Sequence, residues 1–421
     1  MRKNAGSPNK NTITPKETRY QEEIEMRILK SVLRRRTFLS GAFAIGLAAA
    51  APFGTASAQE PIKVGLVAAL SGQSAKSGEA ITRGLSVAID EINAAGGING
   101  RKIELISRDD ESNPGKGLLA ARELVQREKV AALFGGLDTP VSLAIVPFAN
   151  QSKIPFVGVW AAGTGITRNK APDNYVFRVS AVDAYVGEAL VDYAIKHGSK
   201  KPGMILINNP WGESNEHALH DALKKHNMTA AGVEKFQDAD VDVVPQLTRL
   251  KQAGADTLFL VANVAPSSQV VKSLERMGWN VPIVSHWGPA GGRFTELAGP
   301  RSADVHFIQT FLFSDKQTAK ANDVLAKLKA KYPAIKTLAD VTPAVGIANA
   351  YDAMHLVGLA LKKAGSTDGK AVRDALLSID KYNGLIKTYE KPFTAENHDA
   401  LGPKDYIFAH FVKGEILPLT Q

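Results

Sequence analysis

Short runs of aliphatic and β-branched residues alternate along the chain with longer stretches whose apolar positions recur every three or four residues. Ile62-Lys63-Val64-Gly65-Leu66-Val67 has the near-continuous apolar character of a strand covered on both faces. Residues 79–95 follow, with Ile81, Leu85, Ala88, Ile89 and Ile92 on one helical face, and Gly96-Gly97 ends that helix by tolerating left-handed backbone. The same reading predicts strands over 102–106, 130–134, 154–159 and 175–179, with a helix after Asn113-Pro114. A second series has strands at 204–207, 257–261 and 281–284, with helices near 212–227, 242–253 and 266–277. Residues 305–310 form a further strand, and helices follow near 316–331, 340–364 and 370–378. Residues 406–412, a turn at Lys413-Gly414 and Glu415-Ile416-Leu417 make a closing hairpin.

Strands alternating with helices argue for parallel sheets covered by helices, and 421 residues exceed a single ordinary core. Two βα series followed by late elements predict an α/β protein of two Rossmann-like lobes. One is expected from 59–181 plus 311–388, the other from 182–310 plus 389–421.

Charge adds little to this picture once its location is known. Residues 1–58 hold ten Lys/Arg against four Asp/Glu, so +6 of the net charge of +9 lies there and +3 on the rest. No basic block marks the folded part as a nucleic-acid surface. The absence of Cys excludes disulfides, thiolate metal sites and cysteine nucleophiles.

Residues 34–58 have the order of a signal peptide: Arg34-Arg35-Arg36, a small apolar run over 41–51, and Ala56-Ser57-Ala58 as a small-x-small cleavage site. Cleavage after Ala58 and a periplasmic location are expected. Arg35-Arg36-Thr37-Phe38-Leu39 resembles the twin-arginine export motif; the ordinary secretory route is the alternative. Met26 would open a normal basic n-region and is a candidate true start.

Three pieces together resemble the leucine/isoleucine/valine-binding family of type I periplasmic binding proteins. They are residues 62–78, with Leu70-Ser71-Gly72 and Gly78; residues 90–102, from Asp90-Glu91-Ile92-Asn93 to Gly100-Arg101-Lys102; and Asp109-Asp110-Glu111-Ser112-Asn113-Pro114. The resemblance covers essentially all of 61–421. It implies two lobes joined by three crossovers near 181, 310 and 388, a ligand in the cleft between them, and delivery to an ABC permease with separate ATPase subunits. It also implies a monomer working without cofactor or metal.

Open α/β sheets bind ligands beyond the carboxyl ends of their strands. The loops there are 70–77, Gly135-Gly136-Leu137-Asp138-Thr139-Pro140 and Trp160-Ala161-Ala162-Gly163-Thr164. Pro140 suits a first helical turn and makes Thr139 a natural N-cap. In the family, hydroxyl and backbone groups of the second and third loops hold the α-carboxylate of the substrate. That hydroxyl falls on Thr139, whereas the third loop's usual Thr falls on Ala162, with Thr164 as a candidate substitute. The family's aromatic before glycine is retained as Trp211-Gly212. Its acidic residue for the substrate ammonium falls on or beside Trp287, so Asp138, Asp183 or Glu213 would have to supply that charge.

Trp160, Trp211 and Trp287 all follow strands on cleft-side loops, while Trp279 is placed at a helix end. Three indole rings there predict a small carboxylate with an apolar or aromatic body, or an amino acid held without the usual acidic anchor. The expected ligand contacts are Ser77, Thr139, Trp160, Ala161, Ala162, Tyr185, Trp211, Asn263 and Trp287; Tyr185 and Asn263 rest on loop position alone.

Rival functions find less support. The nine His include no H-E-x-x-H, and no nucleophile elbow is present. Asp238-Ala239-Asp240-Val241-Asp242 reads as a solvated helix entry rather than a metal loop, because the other ligands of a calcium loop are missing. A ligand-sensing protein for a membrane receptor is the alternative to transport.

Overall fold

A computed structural model of the protein describes residues 59–314 and 316–419; the leader and its cleavage site lie outside the described residues. The elements of the first series are β1 (Ile62–Ala68), α1 (Ala75–Ala94), β2 (Ile103–Asp109), α2 (Pro114–Gln126), β3 (Leu133–Gly135), α3 (Thr139–Gln151), β4 (Phe156–Gly158) and β5 (Val176–Arg178). Then come α4 (Asp183–Lys196), β6 (Pro202–Ile207), α5 (Pro210–Lys225), β7 (Val233–Phe236), α6 (Val244–Gln252), β8 (Thr257–Val261), α7 (Val264–Arg276), β9 (Ile283–Ser285), α8 (Phe294–Ala298) and β10 (Val305–Gln309). The chain continues with α9 (Ala319–Lys331), α10 (Ala344–Ala364), α11 (Gly369–Leu377), β11 (Lys381–Asn383), β12 (Thr388–Glu390), β13 (Ile407–Val412) and β14 (Glu415–Pro418).

Two large sheets organise most of these elements, and β11 and β12 pair as a separate antiparallel ribbon. The first has the order β2-β1-β3-β4-β5 and is parallel throughout. The second has the order β14-β13-β10-β9-β8-β6-β7, parallel from β10 to β7, with the closing hairpin antiparallel at its edge. β1, β6 and β8 are almost entirely buried, as their unbroken apolar runs require of strands covered on both faces. β7 (Val-Glu-Lys-Phe) does not appear in the sequence reading. It is an edge strand that buries only Phe236, so its apolar signal is too short to stand out.

Strand order reverses at β1 in the first sheet and at β6 in the second, and each reversal opens a crevice at the carboxyl ends. The loops after β1 and β3 flank one crevice, and those after β6 and β8 flank the other.

The late helices return to the first lobe, where α10 packs along α1. α10 is 21 residues long and apolar enough by composition to cross a bilayer, yet it is buried inside the protein. The final passage to the second sheet comes after Asp399 and Ala400, both still bonded to Arg178 at the β5 edge, and so beyond the crossing expected near 388. Arg178 anchors that junction. It is fully buried, bonds Asp399 at 2.8 Å, and donates to the Gly163 carbonyl at 2.9 Å and to the Thr167 hydroxyl at 2.8 Å.

Candidate functional site

The two crevices face each other and enclose a cavity of about 540 Å³, within the range of roughly 300–1,000 Å³ usual for small-molecule sites. Ser71–Ser74, Ser77, Leu137, Asp138 and Pro140 contribute from the first lobe, together with Trp160 and Glu111, Ser112 and Pro114 from the loop after β2. Asn209, Asp238, 263–266 and two glycines, Gly288 and Gly291, contribute from the second. A recess of about 10 Å³ lies behind it, bordered by Thr139, Ala161, Ala162, Trp211 and Trp287. The cavity and the recess share Leu137, Asp138, Pro140, Trp160, Asn209 and Asn263.

Backbone geometry lets the β3 loop reach this point. Gly136 has φ +61°, and a Cβ there would lie 1.7 Å from the Ser142 hydroxyl oxygen. Only glycine turns the chain this tightly into α3. The helix begins one residue earlier than the sequence suggests. Asp138, rather than Thr139, is the N-cap, and Thr139 and Pro140 occupy the first two helical positions. Thr139 is therefore released from capping, and its hydroxyl accepts from the Gly163 amide at 3.2 Å, tying the second loop to the third.

Hydrogen bonds cross between the lobes at the crossover, where the Ala184 amide donates to the Thr164 hydroxyl, and also between facing loops of the cleft. The Ser77 hydroxyl donates to the Gly291 carbonyl at 2.7 Å, the Thr164 amide donates to the Ser214 hydroxyl at 3.1 Å, and the Asn263 amide group donates to Asp138 Oδ1 at 2.9 Å. Asp138 and Asn263 both stand at helix N-caps, yet neither side chain caps its helix. Aspartate and asparagine are among the preferred N-cap residues; here both turn into the cleft instead.

A family model for the periplasmic binding protein matches residues 61–414. The chain belongs to the periplasmic binding protein family. Among its relatives, "Leu/Ile/Val-binding protein homolog 3" of Brucella melitensis is 27% identical over 331 residues, covering 77% of this chain and 85% of that protein. The periplasmic binding protein type 1 of Bordetella pertussis superposes with a TM-score of 0.78 at 23% identity, covering 85% of this chain and all of the other. The branched-chain amino acid transporter substrate-binding protein LivJ of Streptococcus pneumoniae, solved with isoleucine, gives 0.73 at 25% identity with the same coverage. A Rhodopseudomonas palustris ABC-transporter solute-binding protein solved with benzoate gives 0.73 at 23%, covering 85% of this chain and 95% of that one. The two-lobed α/β architecture is that of type I periplasmic binding proteins.

The sequence-derived contacts divide within this binding-protein frame. Ser77, Trp160 and Asn263 line the main cavity; Thr139, Ala161, Ala162, Trp211 and Trp287 line only the recess. Tyr185 borders neither. Its ring lies 5.0 Å beneath the Arg168 guanidinium on α4, because the first turn of that helix carries it away from the cleft. Thr164 also borders neither; its hydroxyl accepts from the Ala184 amide. The indoles form the floor of the cleft rather than free walls. Trp160 and Trp287 lie 5.5 Å apart, and Trp211 donates from Nε1 to Asp183 at 3.2 Å. Trp279 packs beyond the end of α7, as expected.

The alternative anchors separate equally clearly. Asp183 is fully buried, and its Oδ1 accepts from Trp211 and from His286 Nε2 at 3.0 Å. His286 Nδ1 accepts from the Trp287 amide at 2.8 Å, which fixes the imidazole with its proton on Nε2. Glu213 is exposed and borders neither cavity nor recess. Asp138 alone of the three reaches the cavity.

Several cavity residues were missed by sequence reasoning: Ser112, Asn209 and Asp238. Asn209 caps α5 by accepting from the Trp211 and Gly212 amides, so an Asn-Pro step just past β6 was its signal. Asp238 was hidden because β7 went unrecognised. Once Val233–Phe236 is a strand, Asp238 becomes a residue at a carboxyl strand end rather than a helix entry.

The cavity is acidic. Withdrawal from water raises the Asp138 carboxyl above its usual range, although hydrogen bonds from Ser112 and Asn263 oppose this. Asp238 is raised by desolvation and by the charge of Asp138. Just behind them Asp110, fully buried, is pushed up to about 7 by burial. Among the described residues no Lys, Arg or His lines either space.

Proposed function

We propose that this chain is the exported substrate-binding component of an ABC importer. It captures a small solute of the amino-acid class between its lobes and presents the closed form to a permease with separate ATPase subunits. The observation that carries the reading is the cavity of about 540 Å³ set between the reversal points of two largely parallel sheets and bridged by hydrogen bonds from Ser77, Thr164 and Asn263 to the opposite lobe. An open form binds solute on one lobe, and contacts from the other favour closure, so ligand shifts the population toward the closed state. Leu137, Trp160, Val264 and Pro266 supply apolar surface for the body of the solute. The lobes are taken as 59–181 with 311–401, and 182–310 with 402–421, since Asp399 and Ala400 still bond the first sheet. Export uses the leader with cleavage after Ala58, and the mature chain acts as a monomer without cofactor.

Native mass spectrometry of the protein purified from its own host tests this directly. One small organic molecule per chain, released intact on unfolding, is the expected result. A chain that carries no solute, or that converts one, would contradict it.

A further inference from the structure

A second cavity lies at the opposite ends of the strands from the cleft. The cleft sits at carboxyl ends, whereas this one opens at the amino ends of β8, β9 and β10, beside the last turn of α4. It measures about 200 Å³ and shares no residue with the cleft cavity or its recess. Its origin is a small side chain. α4 buries Val186, Leu190 and Val191, but the next buried position is Ala194, whose methyl leaves space against Ile283 and Val284. Thr257 and Pro282 complete this apolar floor. The wall is aromatic and held in place. Tyr193 stacks on His197 at 4.0 Å and on Phe408 at 3.9 Å between ring centroids, and its hydroxyl bonds His306 Nδ1 at 2.9 Å. The one acid that lines the space, Asp304, pairs with Arg301 at 3.1 Å. Burial, with His410 and His197 nearby, lowers the pKa of His306, so that ring is neutral at pH 7. His197 Nδ1 donates to the Tyr193 carbonyl at 2.7 Å, since a carbonyl only accepts, and the neutral ring keeps Nε2 as an acceptor.

We propose that this cavity is a second binding site, separate from the cleft, for a small uncharged aromatic molecule carrying one N–H or O–H donor, such as a phenol or an indole. The ring fills the space that Ala194 leaves against Ile283 and Val284 and meets Tyr193 and His306 at the wall. The donor bonds His197 Nε2. An apolar cavity of about 150 Å³ holds benzene, so about 200 Å³ accepts one substituted ring. Ionised molecules are disfavoured, because a carboxylate or an ammonium would lose hydration there without gaining an unpaired opposite charge. The site belongs to the second lobe alone, and the inference does not rest on the binding-protein reading.

Phenol, indole and anisole, the methyl ether of phenol that lacks its donor, are titrated into the full chain and into the Ala194→Leu and His197→Phe variants. Saturation-transfer NMR follows binding, and unfolding temperatures measured in parallel confirm folding. Phenol and indole are expected to bind with a Kd at or below about 1 mM, within the ceiling for ligands this small. Ala194→Leu fills the space and should weaken both at least about 10-fold; a molecule held in the cleft would not respond to it. His197→Phe keeps a ring against Tyr193 but removes the acceptor. It should weaken phenol about 3- to 10-fold, the worth of one hydrogen bond, and leave anisole unchanged. Unchanged phenol affinity in folded Ala194→Leu, or no binding of phenol and indole at about 1 mM, overturns the site. Should Ala194→Leu fail to fold, the exposed His197 position still decides. Equal phenol affinity in His197→Phe, or an equal loss for phenol and anisole, overturns the assignment.

Discussion

Removing Asp399 should be among the most damaging single changes in the molecule. Arg178 and Asp399 are 0% and 1% exposed, and the guanidinium uses Nε and Nη2 on one carboxylate oxygen. Its other contacts, to the Gly163 carbonyl and the Thr167 hydroxyl, are neutral. Asp399→Ala would leave a buried cation with no counter-charge. Removing one partner of a buried pair costs about 3–5 kcal/mol, much of it the desolvation of the charge left behind. Arg178→Met combined with Asp399→Leu removes both charges and should recover most of that loss, since apolar replacement of a whole pair is often close to neutral. Urea unfolding of the three variants followed by circular dichroism measures both quantities. A loss below about 1 kcal/mol in Asp399→Ala, or a double variant no better than the single one, would refute the idea that charge compensation holds this junction.

Other consequences follow from individual groups. Asp110 has a folded-state pKa raised to about 7 by burial, so its contribution is favourable while it is protonated and is lost as pH rises through about 7. Asp110→Asn should therefore stabilise the protein at pH 8 more than at pH 5, as read by thermal unfolding; an effect independent of pH would contradict this. Glu91 has the opposite sign. Although burial alone would raise it, hydrogen bonds from His355, Tyr351 and Lys327 bring it down to about 2, so its contribution is present above about 4.5 and lost as pH falls toward 2. Glu91→Gln should flatten the stability profile in that window, and an unchanged profile would count against it. Gly136→Ala should cost at least about 1 kcal/mol in unfolding free energy, since it puts a Cβ onto Ser142 at a left-handed backbone position; a neutral result would show that the loop relaxes.

Much of the architecture was legible because buried parallel strands carry their own signal. β1, β6 and β8 stand out as unbroken apolar runs, and the family motifs of residues 62–114 fix what kind of sheet they build. Edge elements carry less. β7 buries one side chain in four residues and β11 presents exposed residues, so neither rises above the loops around it. That gap had a functional cost, since missing β7 hid Asp238. The tryptophans were legible as residues of cleft-side loops, but the approach of Trp160 to Trp287 depends on a contact between lobes, and the bond from Trp211 to Asp183 on a contact between α5 and α4, that no local pattern contains. Of the three acids weighed as anchors, Asp138 borders the cavity, whereas Asp183 is bonded to Trp211 and His286 and Glu213 faces water, a difference no local pattern contains. Tyr185 failed for a simpler reason: a loop position one turn into a helix no longer faces the cleft.

The most direct test of the central claim, that the chain closes on a small solute, is a thermal-shift series on the purified full chain with amino acids, amines and aromatic acids. A cognate solute at 100 times its dissociation constant should stabilise the folded state by about 2.7 kcal/mol. The account predicts a clear rise in unfolding temperature with at least one compound of the series. No rise with any compound, in a chain that also carries no native solute, would contradict it.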